Sequence, residues 1–331
     1  MFKKSDIIEK GYIDEIIEPG TDLVYEIEKM RKEKNAIILA HYYQTADIQD
    51  IADYVGDSLD LSRTAADAKA DIILFAGVNF MAETAKILSP GSKVLLPDLN
   101  ASCSLSETCP PEDFKKFVSA NAERTVITYI NSSAEIKALS DIICTSTNAY
   151  KIVESLPKEE KIIFAPDRNL GNFISNKVSR DMIIWQGACH VHEEFSIEGI
   201  IELKRREQDA GIIVHPECEQ PVRMVADFIG STGDLLRYIK KDGGKKYIVG
   251  TETGIIHQMK KARPEKIFIP APVKNKSLKC SECNFMKLIT MEKIYLTLKY
   301  EEPELKMDKD LMKKAEKPIR RMLEISDRLG I

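Results

Sequence analysis

The sequence predicts an α/β protein: three pseudo-symmetric αβα units, each built on a parallel sheet, arranged around a central cluster site. Three observations predict it. Residues 41–58, 129–146 and 215–232 align without a gap, at shifts of 88 and 86 residues. His41, Tyr129 and His215 then coincide, as do Asp53, Asp141 and Asp227, and Ser58, Ser146 and Thr232. Short apolar runs recur at one register in each copy. A cysteine follows each copy too: Cys103, Cys189 and Cys283 lie 45, 43 and 51 residues beyond the aligned hydroxyls.

The apolar runs read as strands because they are short, rich in Ile and Val, and bounded by polar residues. The first strand of each unit is expected at Ile37–Ala40, Val126–Thr128 and Ile212–Val214, and the second near Tyr54–Val55, Ile142–Ile143 and Phe228–Ile229. The third is expected at Ile72–Phe75, Ile162–Phe164 and Tyr247–Val249, and the fourth at Val94–Leu96, Ile183–Trp185 and Ile267–Ile269. Continuous apolar strands suit a parallel sheet covered on both faces by helices. Helical patterns at Asp22–Lys34, Pro111–Glu123 and Ile197–Gln208 precede the first strands. Pro110, Pro111, Glu112 and Asp113 have the proline and acid enrichment of a helix start.

These elements divide the chain into a first repeat with the N-terminal segment (1–109), a second (110–194) and a third (195–285). In the tail (286–331), Phe285–Tyr300 and Asp308–Leu329 read as amphipathic helices with a Lys-rich outer face, packing back on repeat 1. A chain of 331 residues exceeds what one hydrophobic core serves. The net charge of −4, without a block of like charges, argues against nucleic acid or membrane as a partner. MFKKSDIIEKG lacks the apolar core of a signal peptide, so a cytoplasmic protein is expected. Its seven cysteines are then expected to be reduced, catalytic or metal-bound.

In open parallel sheets, ligands sit beyond the carboxyl ends of the strands. His41, Tyr43, Tyr129, Asn131, His215 and Glu217 close the first strands. Asp57, Ser58, Thr145, Ser146, Ser231 and Thr232 close the second and open helices, whose free N–H groups suit carboxylate or phosphate. Three such ends fit a small, multiply anionic substrate. Three thiolates at one centre can hold a [4Fe-4S] cluster with one iron left open, a Lewis acid for loss of a hydroxyl. Zinc on three cysteines and a histidine, His190 or His192, competes with that reading. A single cysteine is more simply a small buried hydrophobe, but three in repeat register argue against this. Cys280 forms a C-x-x-C pair with Cys283, which suggests a redox switch. Ser58, Ser146 and Thr232 also make ordinary helix caps. His192 and His257 read as structural or surface residues, and Glu252 in TETG reads as at most a supporting residue behind the site.

The segments AHYYQ, GDSLDLSR, TYINSSAEIKA, APDRNLG, WQGACHVH, HPEC, IGSTG, TETG and CSECNFMK together resemble the quinolinate synthase family, in order over about residues 20 to 290. The resemblance implies three αβα domains around a [4Fe-4S] cluster. It implies condensation of iminoaspartate with dihydroxyacetone phosphate to quinolinate, phosphate and two waters. Cys103, Cys189 and Cys283 match the cluster ligands. His41, Ser58, Tyr129, Asn131, Ser146, His215 and Thr232 match residues that grip carboxylates. Tyr43 and Glu217 match an acid–base pair, and His190 an active-site residue. An oxidase or dehydrogenase that produces iminoaspartate is the implied partner. The alternatives are a radical enzyme of the diphthamide-synthesis type, which also takes one cysteine from each of three domains, an aconitase-like hydro-lyase, and a zinc-binding scaffold.

Overall fold

The computed structural model describes residues 7, 9–180, 182–275 and 281–331. Among the described residues, twelve strands form three four-stranded sheets, all parallel. The first sheet holds β1 (Ala36–His41), β2 (Tyr54–Gly56), β3 (Ile72–Ala76) and β4 (Lys93–Leu95) in the order β2-β1-β3-β4. The second, β5 (Thr125–Tyr129), β6 (Ile142–Cys144), β7 (Ile162–Ala165) and β8 (Met182–Ile184), has the order β6-β5-β7-β8. The third, β9 (Gly211–Val214), β10 (Phe228–Ile229), β11 (Lys246–Gly250) and β12 (Ile267–Pro270), has the order β10-β9-β11-β12. The same order three times, at the expected strand positions, is the fold counterpart of the sequence repeat.

The strands are short because each is an apolar run closed by polar residues, and they are buried because helices cover both faces. β3 and β7 are buried along their whole lengths, and Ile73, Leu74, Ile163 and Phe164 are fully enclosed. Each such side chain contributes about 1.5–3 kcal/mol relative to exposure.

The repeated aspartate has a structural task. Asp53, Asp141 and Asp227 stand immediately before β2, β6 and β10. Their carboxylates accept the N–H of Ile38, Val126 and Ile212 at 2.8, 2.8 and 2.7 Å. Their own N–H groups donate to the carbonyls of the same three residues. Each aspartate therefore clamps the second strand to the first and fixes the register at which both strands end.

Helix starts follow the repeat in two copies of three. Ser58 and Thr232 are first helical residues, capped by Asp57 and by Ser231 in a capping box with Asp234. In the second copy the helix begins at Ala149, three residues after Ser146. There Asn148 Oδ1 accepts the Thr145 N–H at 2.6 Å, so a closed turn precedes the helix.

The C-terminal helices do not share one base. Helix Met291–Tyr300 packs on helix Leu23–Glu33 and β3 of the first repeat. Helix Lys309–Arg328 packs chiefly on helix Ala134–Ala138 and β6 of the second, and on helix Asn79–Leu88 of the first. A buried Asn148–Ser326 hydrogen bond of 3.0 Å fastens it. Residues 303–305 run along the free edge of β4, through Leu96 N–H to Pro303 and Leu305 N–H to Val94, and so protect that edge from pairing elsewhere. Among the described residues no helix is long and apolar enough to cross a membrane.

Candidate active site

The carboxyl ends of the three sheets face one cavity. Cys103, Cys189 and Cys283 line it, as do Tyr43, Glu217, His41, Ser58, Tyr129, Asn131, Ser146, His215 and Thr232. Parallel strands put these residues together because every strand ends at the same side and the aspartate clamps set where it ends. Among the described residues no lysine or arginine side chain lines the cavity.

The junction is assembled from all three repeats. Thr147 Oγ1 lies 2.8 Å from both Asp57 Oδ2 and Ser231 Oγ, joining the helix starts of repeats one and three through the second. Burial, helped by the nearby Asp60 charge, pushes the Asp57 carboxyl up. Tyr43 Oη lies 2.8 Å from Thr251 Oγ1 and receives a longer bond from Thr232 at 3.4 Å. Burial and then the Glu217 charge hold the Tyr43 phenol well above its ordinary value, so it stays protonated and able to donate.

Glu217 is the hub of the polar wall. It is 2 % exposed. Tyr129 Oη donates to its Oε1 at 2.5 Å, and His192 Nδ1 lies 3.1 Å from its Oε2. Burial opposes ionisation, but His192 and His215, with the hydrogen bonds from His192 and Tyr129, outweigh it and hold the carboxyl below the usual carboxylate range. His41 and His215 share one arrangement: the N–H two residues on, of Tyr43 and of Glu217, donates to Nδ1 at 3.2 and 3.3 Å. The accepting nitrogen carries no proton, which leaves it on Nε2. Burial lowers both imidazoles to about 3, so both are neutral donors at neutral pH.

The cysteines also share a local structure. Cys103 and Cys189 cap the one-turn helices Ser104–Glu107 and His190–Glu193, and Cys283 precedes the 3-10 turn Met286–Leu288. The peptide N–H three residues on, of Ser106, His192 and Met286, favours each thiolate. Burial works against that and pushes all three thiols up, Cys103 to about 12. They also raise one another: Cys283 acts on Cys103, and both act on Cys189. Three crowded thiols held protonated by burial, each facing N–H donors, fit a metal cluster that takes up their charge.

The two histidines beside Cys189 stand differently toward the cavity. His190 is half-buried outside the cavity lining, with Nδ1 2.5 Å from Ser104 Oγ and its ring edge-on to Phe285. His192 is 2 % exposed and lines the cavity. Its Nδ1 lies 3.2 Å from Cys189 Sγ, its Nε2 lies 3.0 Å from Thr251 Oγ1, and its ring stacks on His215 at 4.6 Å. The helical turn that Cys189 caps is the cause, because position i+3 folds back over the sulfur while i+1 turns away. Ser106 and Met286 stand at the same spacing from Cys103 and Cys283, and this pattern was the available signal. Thr251 and the apolar wall of Val78, Phe80 and Met81 carried no comparable mark. Cys280 lies outside the described residues.

Comparison with known proteins agrees with this construction. Residues 25–324 match the family model "Quinolinate synthetase A protein". The quinolinate synthase of Microcystis aeruginosa is 58% identical over 305 residues, 92% of this chain and 95% of that protein. Those of Synechocystis sp. and Chloroherpeton thalassium are 57% and 56% identical over the same share of this chain and 96% and 95% of their own lengths. With the matched region running through all three sheets and the whole cavity wall, this chain belongs to the quinolinate synthase family.

Proposed function

We propose that this chain condenses iminoaspartate with dihydroxyacetone phosphate to quinolinate, phosphate and two waters, as a step of NAD biosynthesis. The observation that carries the proposal is one cavity combining three convergent thiols with a wall of neutral donors around a single buried carboxylate. Cys103, Cys189 and Cys283 would hold a [4Fe-4S] cluster. When bound, it supplies an open iron that acts as a Lewis acid in loss of a hydroxyl.

The chain's own residues supply binding and proton movement. The Nε2–H donors of His41 and His215 and the hydroxyls of Ser58, Ser146 and Thr232 grip carboxylates; the phenol of Tyr129, whose one proton lies on Glu217, joins them by turning that proton to the substrate. Asn131 Oδ1 and Thr145 Oγ1 are buried oxygens without a protein partner; Asn131 lines the cavity and is open to a substrate N–H or hydroxyl. The Ser58 and Thr232 N–H groups, which the Asp57 and Ser231 caps leave open at the starts of their helices, take the phosphate without a lysine or arginine. Glu217 accepts the proton that moves between adjacent carbons of the triose, with Tyr129 and His192 holding it ready. Tyr43, protonated and set against Thr251, donates to a departing hydroxyl. The imine substrate is labile in water, so an oxidase or dehydrogenase must supply it.

Cys189, His192 and Glu217 also place a sulfur, a nitrogen and an oxygen within 4.8 Å of one another, a donor set that suits zinc. Metal and sulfide analysis separates the two readings. For the reaction, protein reconstituted anaerobically with iron and sulfide is given dihydroxyacetone phosphate, oxaloacetate and ammonia. Quinolinate detected by mass with the wild type and absent in Cys189→Ala is the expected result. A full cluster without quinolinate overturns the proposal.

A further inference from the structure

Beneath the cavity wall a buried carboxylate pairs with a half-buried lysine, an ion pair that the chemistry above does not use. Glu252 is fully buried just beyond the end of β11; its carboxylate reaches two segments, and a third through Lys287. Its Oε2 accepts the Gly254 N–H at 2.7 Å, within its own loop. Its Oε1 accepts the Cys283 N–H at 3.3 Å and lies 2.9 Å from Lys287 Nζ. Lys287 Nζ in turn donates to the Tyr43 carbonyl at 2.6 Å. The loop beyond β1, the loop beyond β11 and the Cys283 loop are thus tied at one point. The approach is close: a Cβ on Gly254 would stand 2.7 Å from the Tyr42 carbonyl and 2.8 Å from that of Gln44. Two more bonds hold the Cys283 loop, Ser281 Oγ to the Val191 carbonyl at 2.8 Å and Thr253 N–H to the Ser281 carbonyl at 3.3 Å.

A buried carboxylate paired with a lysine is a costly device for stability alone, since an apolar pair of the same volume often serves as well. What the ions add here is direction. The pair binds a peptide N–H on one side and a carbonyl on the other, and those belong to a cysteine and a tyrosine of the cavity wall.

We propose that Glu252 and Lys287 are positioning residues that lock Cys283 and Tyr43 into one rigid unit, setting the third thiol and the phenol relative to each other. The inference rests on the functional reading above for its purpose, but its geometry stands on the bonds just given.

The test is site-resolved alkylation of the full-length protein with iodoacetamide at fixed pH, each cysteine quantified by peptide mass. It is run with thiols free and again on cluster-loaded protein challenged with an iron chelator. Loss of a charge-assisted bond changes local opening by about tenfold. Cys283 is therefore expected to react about tenfold faster in both Glu252→Gln and Lys287→Met, with Cys103 and Cys189 unchanged. Charge alone makes the opposite prediction for the lysine: removing a neighbouring cation disfavours the thiolate and slows the reaction. Lys287→Arg, which keeps the cation, is expected to stay at the wild-type rate. Slower reaction of Cys283 in Lys287→Met, or an equal rise at all three cysteines, overturns the proposal. Wild-type protein that takes up no iron and sulfide overturns the functional reading instead, because the free-thiol comparison is unaffected.

Discussion

Replacing Glu217 by Gln separates the chemistry of this cavity from its architecture. The two side chains have the same shape, so the change removes a charge and a basic site without opening a hole. Tyr129 keeps an acceptor at Oε1, where the present bond is 2.5 Å. Against His192, 3.1 Å from Oε2, the new amide places an NH₂ group. A hydrogen bond to a charged group contributes about 1.5–3 kcal/mol and a neutral one about 1, so each contact weakens by about 0.5–2 kcal/mol. Burying a neutral amide instead of a carboxylate offsets much of that loss. Net stability should change by no more than about 1–2 kcal/mol, a few degrees in melting temperature for a chain of this size. Turnover should behave differently. A positioned general base contributes about 10²–10⁴ in rate, equivalent to about 3–5 kcal/mol of barrier. The assay is quinolinate formation at matched iron and sulfide content, beside a thermal melt. A loss of less than tenfold in turnover with the cluster intact would refute the role given to Glu217. A melting point lowered in proportion to activity would show that the residue acts through structure.

Three further outcomes are expected. His41 and His215 are held neutral in the fold at about 3, below their ordinary value near 6.5. The unfolded chain therefore binds more protons between those values, so stability is full above about pH 6.5 and falls on acidification, by up to about 1.4 kcal/mol per pH unit for each histidine. Thermal melts from pH 7.5 to 5.5 should show this fall, and His41→Asn should flatten it; an unchanged slope refutes the assignment. Asp227→Ala orphans the Ile212 N–H, which Asp227 now holds at 2.7 Å, and should cost about 1–3 kcal/mol, lowering the melting temperature with cluster content preserved. In Gly187→Ala the new Cβ would stand 2.6 Å from the Pro166 carbonyl and 2.1 Å from Thr108 Oγ1, two residues before Cys189. Overpacking there should cost about 1–3 kcal/mol and reduce reconstituted iron per chain; full iron loading would argue that the Cys189 loop tolerates the shift.

Much of the site was legible because a parallel sheet turns sequence register directly into place. Once β1, β5 and β9 end at equivalent residues, His41, Tyr129 and His215 must face one another. Asp53, Asp141 and Asp227 stood out as a repeat before any role could be given to them. That role, accepting a strand N–H across the sheet, depends on partners 15 residues earlier in each unit. His192 was misjudged for a different reason: adjacency to a cysteine suggested His190, but a helical turn brings neighbours together at i+3. Glu252 was hard to place because its partners Gly254, Cys283 and Lys287, and the Tyr43 carbonyl that Lys287 holds, come from loops that no single periodicity connects.

The repeat explains position, whereas departures from it explain chemistry. Three identical units would supply three identical strand ends, a symmetric cage with no preferred direction for a proton. Two residues past His41, Tyr129 and His215 the copies differ in chemistry: Tyr43, Asn131 and Glu217 occupy that position in turn. One is a donor held protonated, one a neutral amide, and one a carboxylate held ionised. The third strands repeat the contrast, with Val78, Asp167 and Glu252 two residues past β3, β7 and β11. There the first is an apolar wall of the cavity, and the last anchors the Cys283 loop. A shared framework therefore fixes where the groups meet, and single substitutions within it decide which group gives a proton and which takes one. A variant such as Asn131→Glu, which places a second carboxylate at the equivalent strand end, should then raise the affinity of the Glu217 site for a proton and, by setting a like charge against the anionic substrates, reduce turnover at subsaturating substrate about tenfold or more. Unchanged turnover across pH 6 to 8 in that variant would mean that the asymmetry at this position is not what directs the chemistry.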